Sequence, residues 1–414
     1  MTSSAGTVLE LDITGIAHGG IFVARHEGRV VFVSDAIPGE RVRARVTESG
    51  DGRSFWRAET IDVLEASPHR RAHVWPEADL DHDPAERPGG ADLGHIDLGH
   101  QRSLKKQVLA EALDRFAGGG LDAPDVEAVD DSDGTGWRTR VRLHVDDDGV
   151  VGPFAARSHR VIPVSTHPLA RPAVAEVASQ VTGRPGSIDL VEPGDGRVRI
   201  LRREDGGTSW ARGRSPRRRS QASKAHPEVV YEAVGDRRFA VDANGFWQVH
   251  PRAAAVLDGA VRDLLAGRVD PSATHYDLYG GVGLFAAALG ELGGSEVVTV
   301  ESSPRATGHA RENLADLGVR AVTARVDRFL SGLPKGGRAG AVVLDPPRSG
   351  AGRAVVESLD ALRPDAIAYV ACDPVALSRD LGTFRGLGWD VAALRAFDLF
   401  PHSHHVEVVA LLTR

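Results

Sequence analysis

From about residue 236 onward, short apolar runs alternate with amphipathic stretches of helical period, and this alternation constrains the fold more than any other feature. The runs fall at 273–279, 296–301, 320–324, 341–344, 366–371, 391–397 and 406–413. Parallel strands need a crossover, usually a helix, so strand–helix alternation predicts a mainly parallel, doubly wound α/β sheet. The last two runs have no obvious helix between them, which predicts an antiparallel pair at one edge.

The first 65 residues read differently. Apolar and polar residues alternate at 7–14, 21–25, 29–33, 41–47 and 54–63, separated by Gly-rich or Pro-Gly turns. Five such strands predict a small β-barrel of the oligonucleotide-binding type. A poorly periodic stretch at 66–99 precedes a helix at 101–116, with Leu104, Val108, Leu109 and Leu113 on one face and three glycines at 118–120 ending it. Strand patterns return at 138–145 and 197–202. We therefore expect three domains: a barrel at 1–65, a central α+β domain at 66–235 and the α/β domain at 236–414.

Composition narrows the function classes. One cysteine in 414 residues excludes an internal disulfide, a multi-cysteine zinc site and a cysteine-ligated iron–sulfur cluster. No run approaches the ~18 apolar residues of a spanning helix, and the N-terminus lacks a basic start followed by an apolar core. A cytoplasmic, soluble, monomeric protein is expected. The net charge of −7 does not advertise a nucleic-acid partner. Between Gly206 and Pro227, however, stand Arg212, Arg214, Arg217, Arg218, Arg219 and Lys224 with no carboxylate. That run is either a solvated loop or a polyanion contact.

Four motifs can carry chemistry. Asp277-Leu-Tyr-Gly-Gly-Val-Gly sits where the first strand of the α/β domain turns into a helix, and Glu301 ends the next strand. In doubly wound folds an acid ~20 residues beyond the glycine turn accepts ribose hydroxyls, so the pair suits a nucleoside cofactor; a tight turn with a surface Glu is the alternative. Asp345-Pro-Pro-Arg348 follows another strand, at the carboxyl edge where such sheets bind ligands. Cys372-Asp-Pro ends the next one, placing a thiol at the same edge. Phe400-Pro-His-Ser-His-His-Val-Glu407 offers either a metal-ligand set or, beside a cysteine, a general base. No second ligand group stands at metal spacing elsewhere, and we expect no metal.

Taken together, the order and spacing of these motifs resemble the S-adenosylmethionine-dependent RNA uracil-5-methyltransferases, over nearly the whole chain. The stretch GIFVARHEGRVVFVSDAIPGERVRARV is similar to the TRAM domain of many members. The resemblance implies a Rossmann-like methyltransferase sheet, with S-adenosylmethionine as cofactor and RNA as partner. It places Cys372 as nucleophile and Glu407 as base. Gln248 (in Asn244-Gly-Phe-Trp-Gln-Val-His), Tyr279, Gly281, Glu301, Asp327 and Asp345 fall on its cofactor positions. Arg217, Arg218, Arg219 and Arg348 are the residues we expect on RNA.

Two departures stand out. Many rRNA-directed members carry a Cys-Gly-Gly-Cys segment that helps hold an iron–sulfur cluster; here that stretch is Pro88-Gly89-Gly90-Ala91, so no cluster is expected. The glycine turn has Leu284 where members often have asparagine.

By the same resemblance, Cys372 adds to uracil C6, C5 is methylated and Glu407 removes the C5 proton. The target base must leave its stack to be reached. The TRAM-like barrel favours 23S rRNA over tRNA. Two other readings stay open: an RNA cytosine-5-methyltransferase, which usually has a second cysteine where Pro347 stands, and an RNA-binding or folding factor with a decayed site.

Overall fold

The computed structural model describes residues 5–49, 54–204, 227–334 and 337–414. Strands β1 (Val8–Ala17), β2 (Ile21–His26), β3 (Arg29–Ser34), β4 (Arg41–Glu48) and β5 (Phe55–Glu65) close into a barrel in the order β1-β2-β3-β5-β4. The period-two alternation explains its core: Leu9, Leu11 and Ile13 on β1 and Val42, Ala44 and Val46 on β4 point inward, and their neighbours face out.

The segment after the barrel is held by one half-buried and one buried guanidinium group. Arg70 forms a two-pronged pair with Glu40 at 2.6 and 2.7 Å. Arg87, 3% exposed, donates to Asp35 and to the carbonyls of Thr60, Leu80 and His82. These contacts fasten the chain beside Pro88-Gly-Gly-Ala91 to the barrel without any metal-ligating thiol.

Helix α1 (Leu98–Phe116) starts at Asp97, whose carboxylate accepts from the His100 N–H at 2.8 Å. Its apolar stripe serves two cores. Leu104 packs into the barrel core, while Leu109 and Leu113 pack into the core of the large C-terminal sheet. After α1 comes β6 (Val126–Ala128), followed by β7 (Arg140–Val145), β8 (Val151–Gly152), α2 (Pro172–Gln180), β9 (Gly186–Val191) and β10 (Arg199–Glu204). The last four strands form a sheet ordered β10-β9-β7-β8, with α2 on its apolar face. The hairpin of β11 (Val229–Val234) and β12 (Arg237–Asp242) straddles residue 235, and its Val230, Phe239 and Val241 join the C-terminal core.

The C-terminal part runs α3 (Ala253–Leu265), β13 (Thr274–Leu278), α4 (Leu284–Glu291), β14 (Glu296–Glu301), α5 (Pro304–Asn313), β15 (Arg320–Thr323) and α6 (Val326–Ser331). It continues with β16 (Ala341–Leu344), α7 (Arg353–Leu362), β17 (Ala366–Ala371), α8 (Pro374–Gly386), β18 (Asp390–Asp398) and β19 (Glu407–Thr413). The sheet order is β15-β14-β13-β16-β17-β19-β18-β6. Its first five strands are parallel, and β19 runs antiparallel to both β17 and β18. The sheet is thus doubly wound: α3, α4 and α5 cover one face, and α1, α6, α7 and α8 the other. The edge strand of this sheet was not expected from sequence. The three residues of β6 pair in parallel with β18 and cover the edge of the sheet. Among the described residues no helix is long and apolar enough to cross a membrane.

Candidate active site

Strand order reverses at β13, which sends the chain to β14 on one side and lies beside β16 on the other. Crevices at such switch points, beyond the carboxyl ends of the strands, are where open α/β sheets take ligands. A cavity of about 1310 Å³ opens there, above the ~300–1,000 Å³ usual for one small-molecule site. Gln248, Tyr279, Gly281, Glu301, Asp327, Asp345, Arg348, Cys372 and Glu407 all line it. Arg217, Arg218 and Arg219 lie outside the described residues.

The glycine turn shows why these residue types stand here. Asp277, fully buried at the end of β13, accepts from the Ala286 N–H and the Thr299 hydroxyl at 3.1 and 3.0 Å. Gly280 passes so close that a Cβ would lie 2.0 Å from Thr299 Oγ1 and 2.4 Å from Asp277 Oδ2. Gly281 has φ +55 and open space at its Cβ position. Its N–H donates to Glu301 Oε2 at 3.3 Å, while Glu301 Oε1 accepts from the Ser303 N–H at 2.6 Å. The Ser302 hydroxyl also donates to Oε1 at 3.0 Å, so the Glu301 carboxylate is fixed at the turn with one lone pair of Oε2 left over. Asp327 is exposed and paired with Arg325 at 2.9 Å.

On the other side of the crevice stand Cys372 and Glu407, the thiol and carboxyl singled out from the sequence. Ala371, the last residue of β17, faces Val408 of β19; Cys372 directly follows the first, Glu407 directly precedes the second, and both line the cavity. Burial pushes the Cys372 thiol up to about 11, helped by the Glu407, Asp345 and Asp373 carboxylates and opposed by Arg348. Burial also drives Glu407 well above the usual carboxylate range, with Asp345 adding to it and Arg348 opposing. Asp345 rises to about 7 through burial and the Asp277 charge. Arg348 is the cation among these groups, and its Nη2 lies 3.2 Å from His405 Nε2.

The three histidines of the β18–β19 loop turn to different partners. His402 contacts Gln101 and the Asp133 carbonyl, His404 pairs with Asp92 at 2.7 Å, and His405 meets Arg348. Among the described residues no group of three or more His, Cys, Asp or Glu is arranged to hold a metal ion.

Residues 3–54 match the TRAM domain, and residues 335–414 match the tRNA (Uracil-5-)-methyltransferase model. An RNA methyltransferase of Streptomyces avermitilis is 41% identical, covering 98% of both chains. The chain belongs to the RNA uracil-5-methyltransferase family. A second relative, a 23S rRNA (uracil(1939)-C(5))-methyltransferase of Shewanella, is 28% identical over 95% of this chain and 93% of its own. The fold is that of the Pyrococcus abyssi tRNA (uracil-54, C5)-methyltransferase solved with S-adenosyl-L-homocysteine. That structure has a TM-score of 0.68 at 20% identity, covering 98% of this chain and all of its own.

This family member also shows cavity residues that the sequence did not flag. Phe246, two residues before Gln248, is 75% exposed at the rim of the cavity. Arg138 lines it too and has no carboxylate partner among the described residues, unlike Arg140 and Arg142. Alternation of cations with Thr139 and Val141 marks a strand but does not single out Arg138. With Gly90 and Asp92, Arg138 also lines a second cavity of about 420 Å³, against the barrel and the central sheet.

The raised carboxyls predict a trade between stability and chemistry. Asp345 is held above its unfolded value, so its contribution to stability is complete below about pH 4 and lost as pH rises through about 7. At pH 8 its buried charge opposes folding. Asp345→Asn should therefore raise the melting temperature at pH 8 by more than at pH 4, read by calorimetry, while lowering turnover by roughly a hundredfold.

Proposed function

We propose that the protein methylates C5 of a uridine in 23S ribosomal RNA, with S-adenosylmethionine as methyl donor and Cys372 and Glu407 as nucleophile and base. The observation that carries this reading is a thiol just past the end of β17 and a raised carboxyl at the start of the neighbouring β19, both lining a switch-point cavity. The choice of 23S rRNA is favoured by the Shewanella relative and by the TRAM barrel.

The cavity fits the cofactor: Gly281, with open space at its Cβ position, lets a ligand approach the backbone, and Glu301 stands beside it with a free lone pair on Oε2. Gln248, Tyr279, Gly281, Glu301, Asp327 and Asp345 would hold it. When bound, S-adenosylmethionine supplies an electrophilic methyl sulfonium.

Uracil C5 is too poor a nucleophile to take that methyl unaided. The Cys372 thiolate adds to C6, and the ring electrons shift toward O4 and C5, so C5 forms the new C–C bond as the methyl leaves sulfur. Glu407 takes the C5 proton, the C5–C6 double bond re-forms and Sγ departs, regenerating the thiolate. A carboxylate whose proton affinity is raised is a stronger base for this step than an ordinary one. Arg348 offsets the negative charge that Cys372 gains on ionising. The second cavity, with Arg138 at its junction, gives the flanking RNA a route past the active site.

Incubation with labelled S-adenosylmethionine and unmodified ribosomal and transfer RNA, followed by digestion to nucleosides, tests the reading. The expected product is 5-methyluridine from the 23S fraction. Label in 5-methylcytidine, label in tRNA alone, or no product each overturns it. Glu301→Ala should weaken cofactor binding by roughly ten- to hundredfold in a calorimetric titration, because hydrogen bonds to a charged acceptor contribute about 1.5–3 kcal/mol.

A further inference from the structure

Behind Cys372 the barrel reaches across to the sheet. His18, in the β1–β2 turn, has its Nε2 3.2 Å from Asp373 Oδ2, and Asp373 directly follows Cys372. The carboxylate is not free to swing, because its Oδ1 caps α8 by accepting from the Ala376 N–H at 2.8 Å. Two residues beyond His18, Gly20 packs so tightly that a Cβ would lie 2.7 Å from the Cβ of His404, at φ +68. A cavity of about 120 Å³ is enclosed between the turn and the site, lined by His18, Gly20, Arg348, Cys372, Asp373 and His405 among others. Only glycine fits where the turn approaches, so the docking is close and specific.

We propose that the first turn of the barrel is a working part of the catalytic centre, with His18 as a positioning residue that holds Asp373 and, through it, the Cys372 loop. The proposal rests on Cys372 being the nucleophile. An unpaired Asp373 carboxylate one residue away works against thiolate formation, as Glu407 and Asp345 do from β19 and β16, with Arg348 on the favourable side. A cationic imidazole on Asp373 offsets that charge. Its hydrogen bond to Asp373 raises His18 above its ordinary value, against burial and the nearby Arg379. The barrel thereby acts on the chemistry as well as on RNA.

Cys372 is the only cysteine in the chain, so iodoacetamide alkylation followed against pH reads this thiol alone. In the full-length protein His18→Ala should move the alkylation midpoint up by about half a unit to one unit. Turnover should fall roughly three- to tenfold with RNA affinity unchanged, and His18→Lys should restore both readouts. Asp373→Asn keeps an acceptor for the α8 cap but removes the charge, and should move the midpoint down. A merely structural pair would shift both variants in the same direction, and that result overturns the proposal. So does a native alkylation profile in His18→Ala, or a loss confined to RNA affinity. If Cys372→Ala still methylates RNA, the assignment of the nucleophile fails instead, a result the alkylation data cannot mimic.

Discussion

Glu407→Gln protein, mixed with substrate RNA and S-adenosylmethionine, is expected to accumulate a methylated protein–RNA adduct that survives a denaturing gel. Glutamine keeps the size and most hydrogen bonds of glutamate but is no base at neutral pH. If Cys372 joins C6 before the C5 proton leaves, blocking the second event traps the first. Cys372→Ala should give neither adduct nor product, because the sole thiol is gone. The double variant should behave like Cys372→Ala, since elimination has nothing to release. The expected loss for either single change is at least roughly a thousandfold in turnover. Full turnover by Cys372→Ala would falsify the covalent route. Normal turnover by Glu407→Gln would move the base elsewhere. His405 is the neighbour to consider, but burial, with His404 and Arg348, holds it down at about 3, and its Nε2 already faces Arg348.

The largest stability effect is expected at Lys105. Its Nζ lies 2.6 Å from Asp398 Oδ1 and 3.0 Å from the Phe400 carbonyl, and both charged side chains are almost wholly buried. Removing one member of such a pair leaves the other's charge uncompensated, which costs about 3–5 kcal/mol, whereas an apolar pair of similar volume is often near neutral. Lys105→Met alone should therefore lower stability by about that amount in a denaturant titration. Lys105→Met with Asp398→Leu should recover most of it. Turnover should recover less fully, because the Phe400 carbonyl keeps only its Ser403 donors within the loop and loses its bond to α1. Equal stability of the single and double variants would contradict this account.

Much of this was legible in the sequence for definite reasons. The barrel strands alternate with period two, and the strands of the α/β domain are apolar runs ending in Gly, Pro or acid, so both left local signals. Cys372, Asp345 and Glu301 were visible because each stands just past or at the end of such a run. What escaped was contact between distant segments. Nothing in Val126–Ala128 distinguishes a sheet strand from a loop; its partner Ala396–Asp398 supplies the distinction. The stripe of α1 predicts a buried face but not that Leu104 and Leu109 enter different cores. His18, Lys105 and Arg138 look like ordinary surface cations until the fold sets Asp373 beside the first, Asp398 beside the second and, among the described residues, no acid beside the third.

The junction of α1 with the β18–β19 loop also has a temporal meaning. Gln101 bonds to His402 across 301 residues of chain, and Lys105 to Asp398 across 293. At ribosomal speeds of ~5–20 residues per second, α1 waits roughly 15–60 s after its own synthesis for these partners to emerge. Until then Lys105 has no counter-charge and the end of the sheet no cover. The crevice takes its shape only once β17, β18 and β19 have emerged, so α1 is held in place and the crevice is built by the same late event.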